Sequence, residues 1–243
     1  MDKIKTIKNL ISIEGIDGSG KSTFTNQMKK YFRLSPIVPE FDKYGNVTDD
    51  TMKKFDCELR FDRAPFDPVA ETYIRYLLSS KPNYDVETKN TSLLYAFISD
   101  FILHQKDILN FSEKVDVYPK KLVISDRYLL STIAYQSLHV PFDRVCDIVK
   151  NSNLAFPKVI IYLECEPEVS LRRIEKRGEV KEMFEKLDFL STIKDNYEKG
   201  IKWINQNVED CKIIRVNTSQ SLDSYKEEIE KVAELYINNR LYK

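Results

Sequence analysis

Gly15-Ile16-Asp17-Gly18-Ser19-Gly20-Lys21-Ser22, with Thr23 after it, constrains this chain more than any other segment. It fits the pattern G-x-x-x-x-G-K-S/T, directly follows the apolar residues 10–13, and opens a stretch of helical periodicity. A strand that runs through a glycine turn into a helix is the first half of a crossover unit, so a parallel sheet is implied from the outset. Glycines let successive backbone N–H groups converge on one point, and the following helix aims the positive end of its dipole there. Such a point holds phosphate oxygens. Lys21 is then placed to reach the β- and γ-phosphates of a nucleoside triphosphate, and the Ser22 hydroxyl to enter the shell of a bridging Mg²⁺.

Short apolar runs at 122–125, 159–163 and 212–216 read as further buried strands, with 37–38 a weaker one. Between them, residues 91–109, 130–150, 167–177, 187–204 and 221–237 place apolar side chains at intervals of three and four. The pattern predicts an α/β, three-layer fold over 1–243, a parallel sheet of about five strands with helices on both faces. The polar stretch 41–61 reads as a long surface connection. With 42% hydrophobic residues the chain can bury one sizeable core. Lysine plus arginine and aspartate plus glutamate each number 38, so no net field attracts a nucleic acid, and small molecules are the expected partners. Cys57, Cys146, Cys165 and Cys211 form no C-x-x-C pair, and Glu14 interrupts the first apolar run before it could serve as a signal or a membrane span. A cytoplasmic protein is expected.

Asp126-Arg127-Tyr128 follows the strand at 122–125, which brings an acid and a guanidinium to the sheet edge that carries the glycine loop. Asp126 suits the Mg²⁺ shell and Arg127 the bidentate grip of an acceptor phosphate; a strand-end ion pair is the simpler alternative. Arg172, Arg173, Lys176, Arg177 and Lys181 cluster on a helical stretch broken at Gly178, within a short lid at 172–186. Charges of this kind commonly form a solvated face. The glycine loop, however, has no arginine of its own, so Arg177 and Arg173 are the candidates to meet charge on a transferred phosphoryl group, unless one stacks on the donor base. No N-K-x-D sequence is present, which sets aside a guanine-reading switch.

The run Asp126-Arg127-Tyr128-Leu129-Leu130-Ser131-Thr132-Ile133-Ala134-Tyr135-Gln136 resembles the D-R-Y-x-x-S-x-x-A-Y-Q signature of thymidylate kinases. The glycine loop, Pro167 to Gly178 and Asn217 to Leu222 extend that resemblance over nearly the whole chain. It implies a P-loop kinase fold, Mg²⁺ and ATP, with dTMP as acceptor, and a homodimer packed through helices. It also implies that Asp17 meets the acceptor's 3′-hydroxyl, that Arg127 and Arg63 hold its phosphate, and that Tyr135 crowds the 2′ position. Tyr95 matches the aromatic that stacks on thymine, although its helical pattern alone reads as core. Ser99 stands where the family has a base-reading arginine, and Phe66-Asp67 replaces a glycine pair, bringing Phe66 to the acceptor site. These two departures imply a relaxed or altered base preference as the alternative. A nucleotide-binding regulator without turnover is the reading from another class.

Overall fold

The structure is a computed structural model and describes residues 3–34, 57–79, 83–112, 120–177 and 183–237. From Asn9 to Glu14 every residue of β1 (Thr6–Glu14) is buried, as a strand covered on both faces must be. It occupies the centre of a five-stranded sheet. The other strands are β2 (Cys57–Arg63), β3 (Lys120–Asp126), β4 (Phe156–Glu164) and β5 (Lys212–Asn217), in the order β2-β3-β1-β4-β5, and every pairing is parallel. Successive residues divide between two cores, as the two-residue repeat of a strand dictates. Leu10, Val123 and Ile160 face one side, Ile11, Ile124 and Ile161 the other.

On the second side lie α1 (Lys21–Leu34) and α8 (Leu222–Ile237), which contribute Phe24, Met28, Tyr225 and Ile229. The first side is covered by α3 (Val86–Ser112), α4 (Leu129–Gln136), α5 (Phe142–Asn151) and α7 (Met183–Asn207). Helices thus cover both faces, as the sequence pattern predicted. Two further helices complete the described fold, α2 (Pro68–Leu78) and α6 (Pro167–Glu175).

Three expectations change. Residues 57–61, read as the end of a surface connection, are part of β2, which pairs with β3 from Cys57↔Lys120 to Arg63↔Asp126. Charged residues alternate with Leu59 and Phe61 there, and that alternation belongs to an edge strand even where mean polarity suggests a loop. The remainder of the 41–61 stretch and the weak strand at 37–38 lie outside the described residues. The helix expected over 130–150 is two, because Pro141 has no N–H to continue the first and instead caps the second. Finally, α2 was not anticipated. Asp67 caps it by accepting from Val69 and Ala70 N–H at 2.9 and 3.0 Å, with Pro68 in the first turn.

Candidate active site

The loop after β1 is pressed from below. At Gly15 (φ 146°) a Cβ would lie 2.8 Å from the Leu163 carbonyl oxygen, and at Gly18 (φ 77°) 2.5 Å from that of Ser170. No other residue fits either position. The Ser170 hydroxyl donates to the Asp17 carbonyl, and Thr218 Oγ1 to the Ser19 carbonyl at 2.8 Å, so α6 and the end of β5 fix the loop from outside. The Ile16 side chain belongs to the core, while Gly20, Ser22 and Thr23 open α1, with Ser22 exposed. Buried Lys21 arches back over the loop, its Nζ donating to the carbonyls of Gly15 at 2.9 Å and Ile16 at 2.8 Å. Burial, and next the charge of Arg127, lower its amine to about 7, although Asp17, Asp126 and Glu14 pull the other way.

Arg127 comes from the neighbouring strand tip. The register Ile13↔Asp126 sets β1 and β3 level, and the Arg127 N–H donates to the Ile13 carbonyl at 3.1 Å. Its backbone adopts φ 75°, a left-handed conformation that a side chain with a Cβ rarely takes and that collects at functional positions. The turn sends the guanidinium back across β1. Nη1 lies 3.4 Å from the Gly15 carbonyl, 3.3 Å from Ser131 Oγ and 3.4 Å from the Tyr197 hydroxyl. Nη2 pairs with Asp17 and lies 3.3 Å from the Tyr135 hydroxyl, and the guanidinium carbon sits 4.9 Å over the Tyr135 ring. Lys21 and Arg127 therefore converge on one carbonyl.

Two cavities meet at Asp17 and Arg63. The larger, about 640 Å³, is lined by the polar groups Asp17, Arg63, Arg127 and Tyr135, by the apolar Ile74, Phe97 and Phe101, and by the charged pair Glu71 and Arg75. An anionic group suits its cations and a flat ring its aromatic wall. The smaller cavity, about 420 Å³, lies over Gly18 and is lined by Arg177, Ile174, Phe189 and Leu190 as well. It places Arg177 beside the loop, opposite Arg63. Asp126 Oδ1 is buried without a hydrogen-bond partner among the described residues.

A family model described as Thymidylate kinase matches residues 46–229. The chain belongs to the thymidylate kinase family. The match starts downstream of the glycine loop, so loop and family pattern support each other independently. Relatives extend the likeness through the loop. A probable thymidylate kinase of Archaeoglobus fulgidus is 26% identical over 94% of this chain and 96% of its own length. A thymidylate kinase of Leptospira interrogans is 29% identical over 83% of this chain and 90% of its own length, and one of Bacillus cereus 26% over 92% and 96%.

For a thymidylate kinase, the site residues expected from sequence fall into two groups. Asp17, Arg63, Arg127 and Tyr135 line one cavity together. Tyr95 and Phe66 do not. Tyr95 is half-exposed on the outer side of α3, lining a separate depression with Tyr73, Ser99 and Leu103. Phe66 stacks on His104 with ring centroids 3.5 Å apart and meets the edge of Phe101 at 5.6 Å, so it supports the cavity wall from behind. The resemblance assigns base stacking to Tyr95 and the helical pattern reads it as core; the structure places it on the half-exposed side of α3. Phe97 and Phe101, two and six positions on, line the larger cavity. Arg173 is anchored, its Nη2 donating to the Thr218 and Gln220 carbonyls at 2.7 and 2.9 Å and its Nη1 to Gly18 at 3.4 Å. Sequence reasoning assigned no role to Glu14, Ser131 or Tyr197. Their signal was weak, since only a structure shows that a tyrosine near the middle of a long helix reaches the loop.

Proposed function

We propose that the protein transfers the γ-phosphate of ATP to dTMP, giving ADP and dTDP. The convergence of Lys21 and Arg127 on the Gly15 carbonyl carries the reading, because it sets a triphosphate-holding amine and a monophosphate-holding guanidinium side by side on adjacent strand tips. The loop N–H groups and Lys21 hold the donor's β- and γ-phosphates. Arg127, with Arg63 across the cavity, holds the acceptor phosphate in line, and the aromatic wall receives the base. Asp17 is the acceptor for a sugar hydroxyl, and the Tyr135 ring closes the ribose side. Arg177, over Gly18, meets charge on the transferred group. Positioning and fixed charge do the catalysis, and no enzyme nucleophile is needed.

Mg²⁺ fits this arrangement. The Ser22 hydroxyl and the unpartnered Asp126 Oδ1 are oxygen donors, and a single carboxylate beside substrate phosphates is how this ion is commonly held. Ser22 and Asp126 would hold the ion, and it would supply charge neutralisation at the donor phosphates. A second reading, a nucleoside monophosphate kinase with a different or relaxed base preference, is favoured by Ser99, a short neutral side chain that lines the outer depression and not the larger cavity, so it offers no base-reading donor there. ADP release measured with dTMP, dUMP, dCMP, dGMP and dAMP separates the two, and best turnover with any acceptor other than dTMP rejects the first.

We also propose a homodimer packed through α2 and α3. Val69, Tyr73, Tyr95, Ile102 and Leu103 are all about half-exposed or more on that face, an apolar area that suits a self-complementary interface. Sedimentation equilibrium at micromolar concentration tests it, a monomer mass being the contrary result. Among the described residues no helix is long and apolar enough to cross a membrane, and Cys146, Cys165 and Cys211 are free thiols. Both facts support a cytoplasmic location.

A further inference from the structure

The carboxyl of Glu14 is fully buried at the tip of β1 and does not line either cavity at the site. A buried carboxyl needs partners for both oxygens. Oε1 accepts the Tyr128 N–H at 2.8 Å, and Oε2 accepts the Ser131 hydroxyl. With its proton committed to Glu14, Ser131 Oγ is left to accept, and the Tyr197 hydroxyl lies 2.7 Å from it. The Tyr197 oxygen is also 3.1 Å from the Gly15 carbonyl. Three oxygens, from Gly15, Ser131 and Tyr197, thus surround Nη1 of Arg127 at 3.3 to 3.4 Å. Gly15 directly follows β1, and Ser131 lies in the first turn of α4. The third is delivered by α7.

We propose that Tyr197 is a positioning residue for phosphoryl transfer: its hydroxyl completes a three-oxygen seat that fixes the Arg127 guanidinium at a set distance from the glycine loop. The role rests on the functional reading above. Tyr197 lines neither cavity. Its ring is held independently, 5.3 Å from Tyr162 and 6.3 Å, edge-on, from Tyr135, so removing only the hydroxyl leaves the packing in place. The guanidinium has five N–H donors in a rigid plane, and securing Nη1 orients the remaining donors toward the acceptor cavity. Without the third oxygen the plane can pivot about the pair that Nη2 makes with Asp17, and a tilt of the acceptor phosphate is a loss of alignment for in-line attack.

The test is a double-mutant cycle with Tyr197→Phe and Arg127→Lys, assayed for ADP release with dTMP and for ATP binding by equilibrium titration. In the wild-type background Tyr197→Phe is expected to lower kcat/KM for dTMP by about tenfold to a hundredfold, with the ATP dissociation constant within about twofold. In the Arg127→Lys background, where no planar fork remains to be seated, the same change is expected to alter kcat/KM by less than about twofold. Equal losses in both backgrounds, or parallel loss of ATP binding, would mean a structural role and overturn the proposal. So would full activity of Tyr197→Phe. Tyr197→Met, which also removes the hydroxyl and leaves the bond from Ser131 to Glu14 in place, gives the same decision should Tyr197→Phe not fold. A wild-type protein that releases no ADP with any acceptor rejects the functional reading instead, which the seat alone cannot rescue.

Discussion

Lys21 Nζ and Arg127 Nη1 address the same carbonyl oxygen, that of Gly15, at 2.9 and 3.4 Å. Two cations this close repel each other, and the repulsion is part of why the Lys21 amine falls to about 7. In the proposed function, phosphate groups resolve the conflict from both sides: the donor's β- and γ-oxygens would compensate Lys21 and the acceptor's phosphate Arg127, which makes the doubly bound site the most favourable electrostatically.

Replacing Arg127 by alanine separates the two roles. Acceptor use is expected to collapse, with kcat/KM for dTMP falling by about a hundredfold or more, since a charge aimed at the reacting groups is removed. ATP binding is expected to hold within about threefold, because loss of a like charge raises the Lys21 amine and offsets any loosening of the loop. Steady-state kinetics with calorimetric ATP titration checks both. Equal loss of the two affinities contradicts the division of labour.

Gly18→Ala tests the loop. A Cβ there would lie 2.5 Å from the Ser170 carbonyl oxygen and 2.7 Å from its hydroxyl, at a φ of 77° that alanine resists. The loop must shift away from α6, and the expected cost is about 1–3 kcal/mol of stability together with weakened ATP binding. Thermal unfolding and ATP titration read the two effects. Wild-type values for both would show that the loop is not clamped as described.

The sheet was readable from sequence because its central strands are continuous apolar runs, and the loop because glycine and lysine must stand at fixed offsets. Asp126 and Arg127 were readable because strand ends share an edge. Other features depend on which way a helix turns. Tyr95 and Phe97 lie in one apolar stretch of α3, and periodicity alone cannot say which faces the cavity when both faces of that helix are apolar. Long-range polar contacts were also illegible. Ser131 and Tyr197 are separated by 66 positions, yet they share a hydrogen bond.

Which aromatic meets the base can be checked directly. Phe97→Ala removes a ring that lines the larger cavity, and KM for dTMP is expected to rise by about tenfold, the usual scale for a lost aromatic contact. Tyr95→Ala, on the outer face of the same helix, is expected to leave that KM within about twofold. The opposite order of effects would restore Tyr95 as the base-stacking residue.

Glu14 makes stability depend on pH in an identifiable window. Burial raises its carboxyl from 4.5 to about 7, against the opposing hydrogen bond from Ser131 and the charge of Arg127. The folded state therefore binds this proton more tightly than the unfolded chain does. Below 4.5 both states are protonated and the contribution is fully present; as pH rises toward 7 the unfolded chain releases its proton first, and the contribution is lost. Glu14→Gln keeps the shape and the hydrogen-bonding reach without the titration. Relative to the variant, the wild type is expected to lose stability on the order of 2–4 kcal/mol across that interval and to run parallel to it above and below. Urea unfolding of the pair at a series of pH values supplies the measurement. Parallel curves throughout would mean that Glu14 remains ionised in the fold, held so by Arg127, and that the seat around the guanidinium is anchored by charge; a divergence confined to the interval means it is anchored by a proton that the folded protein retains.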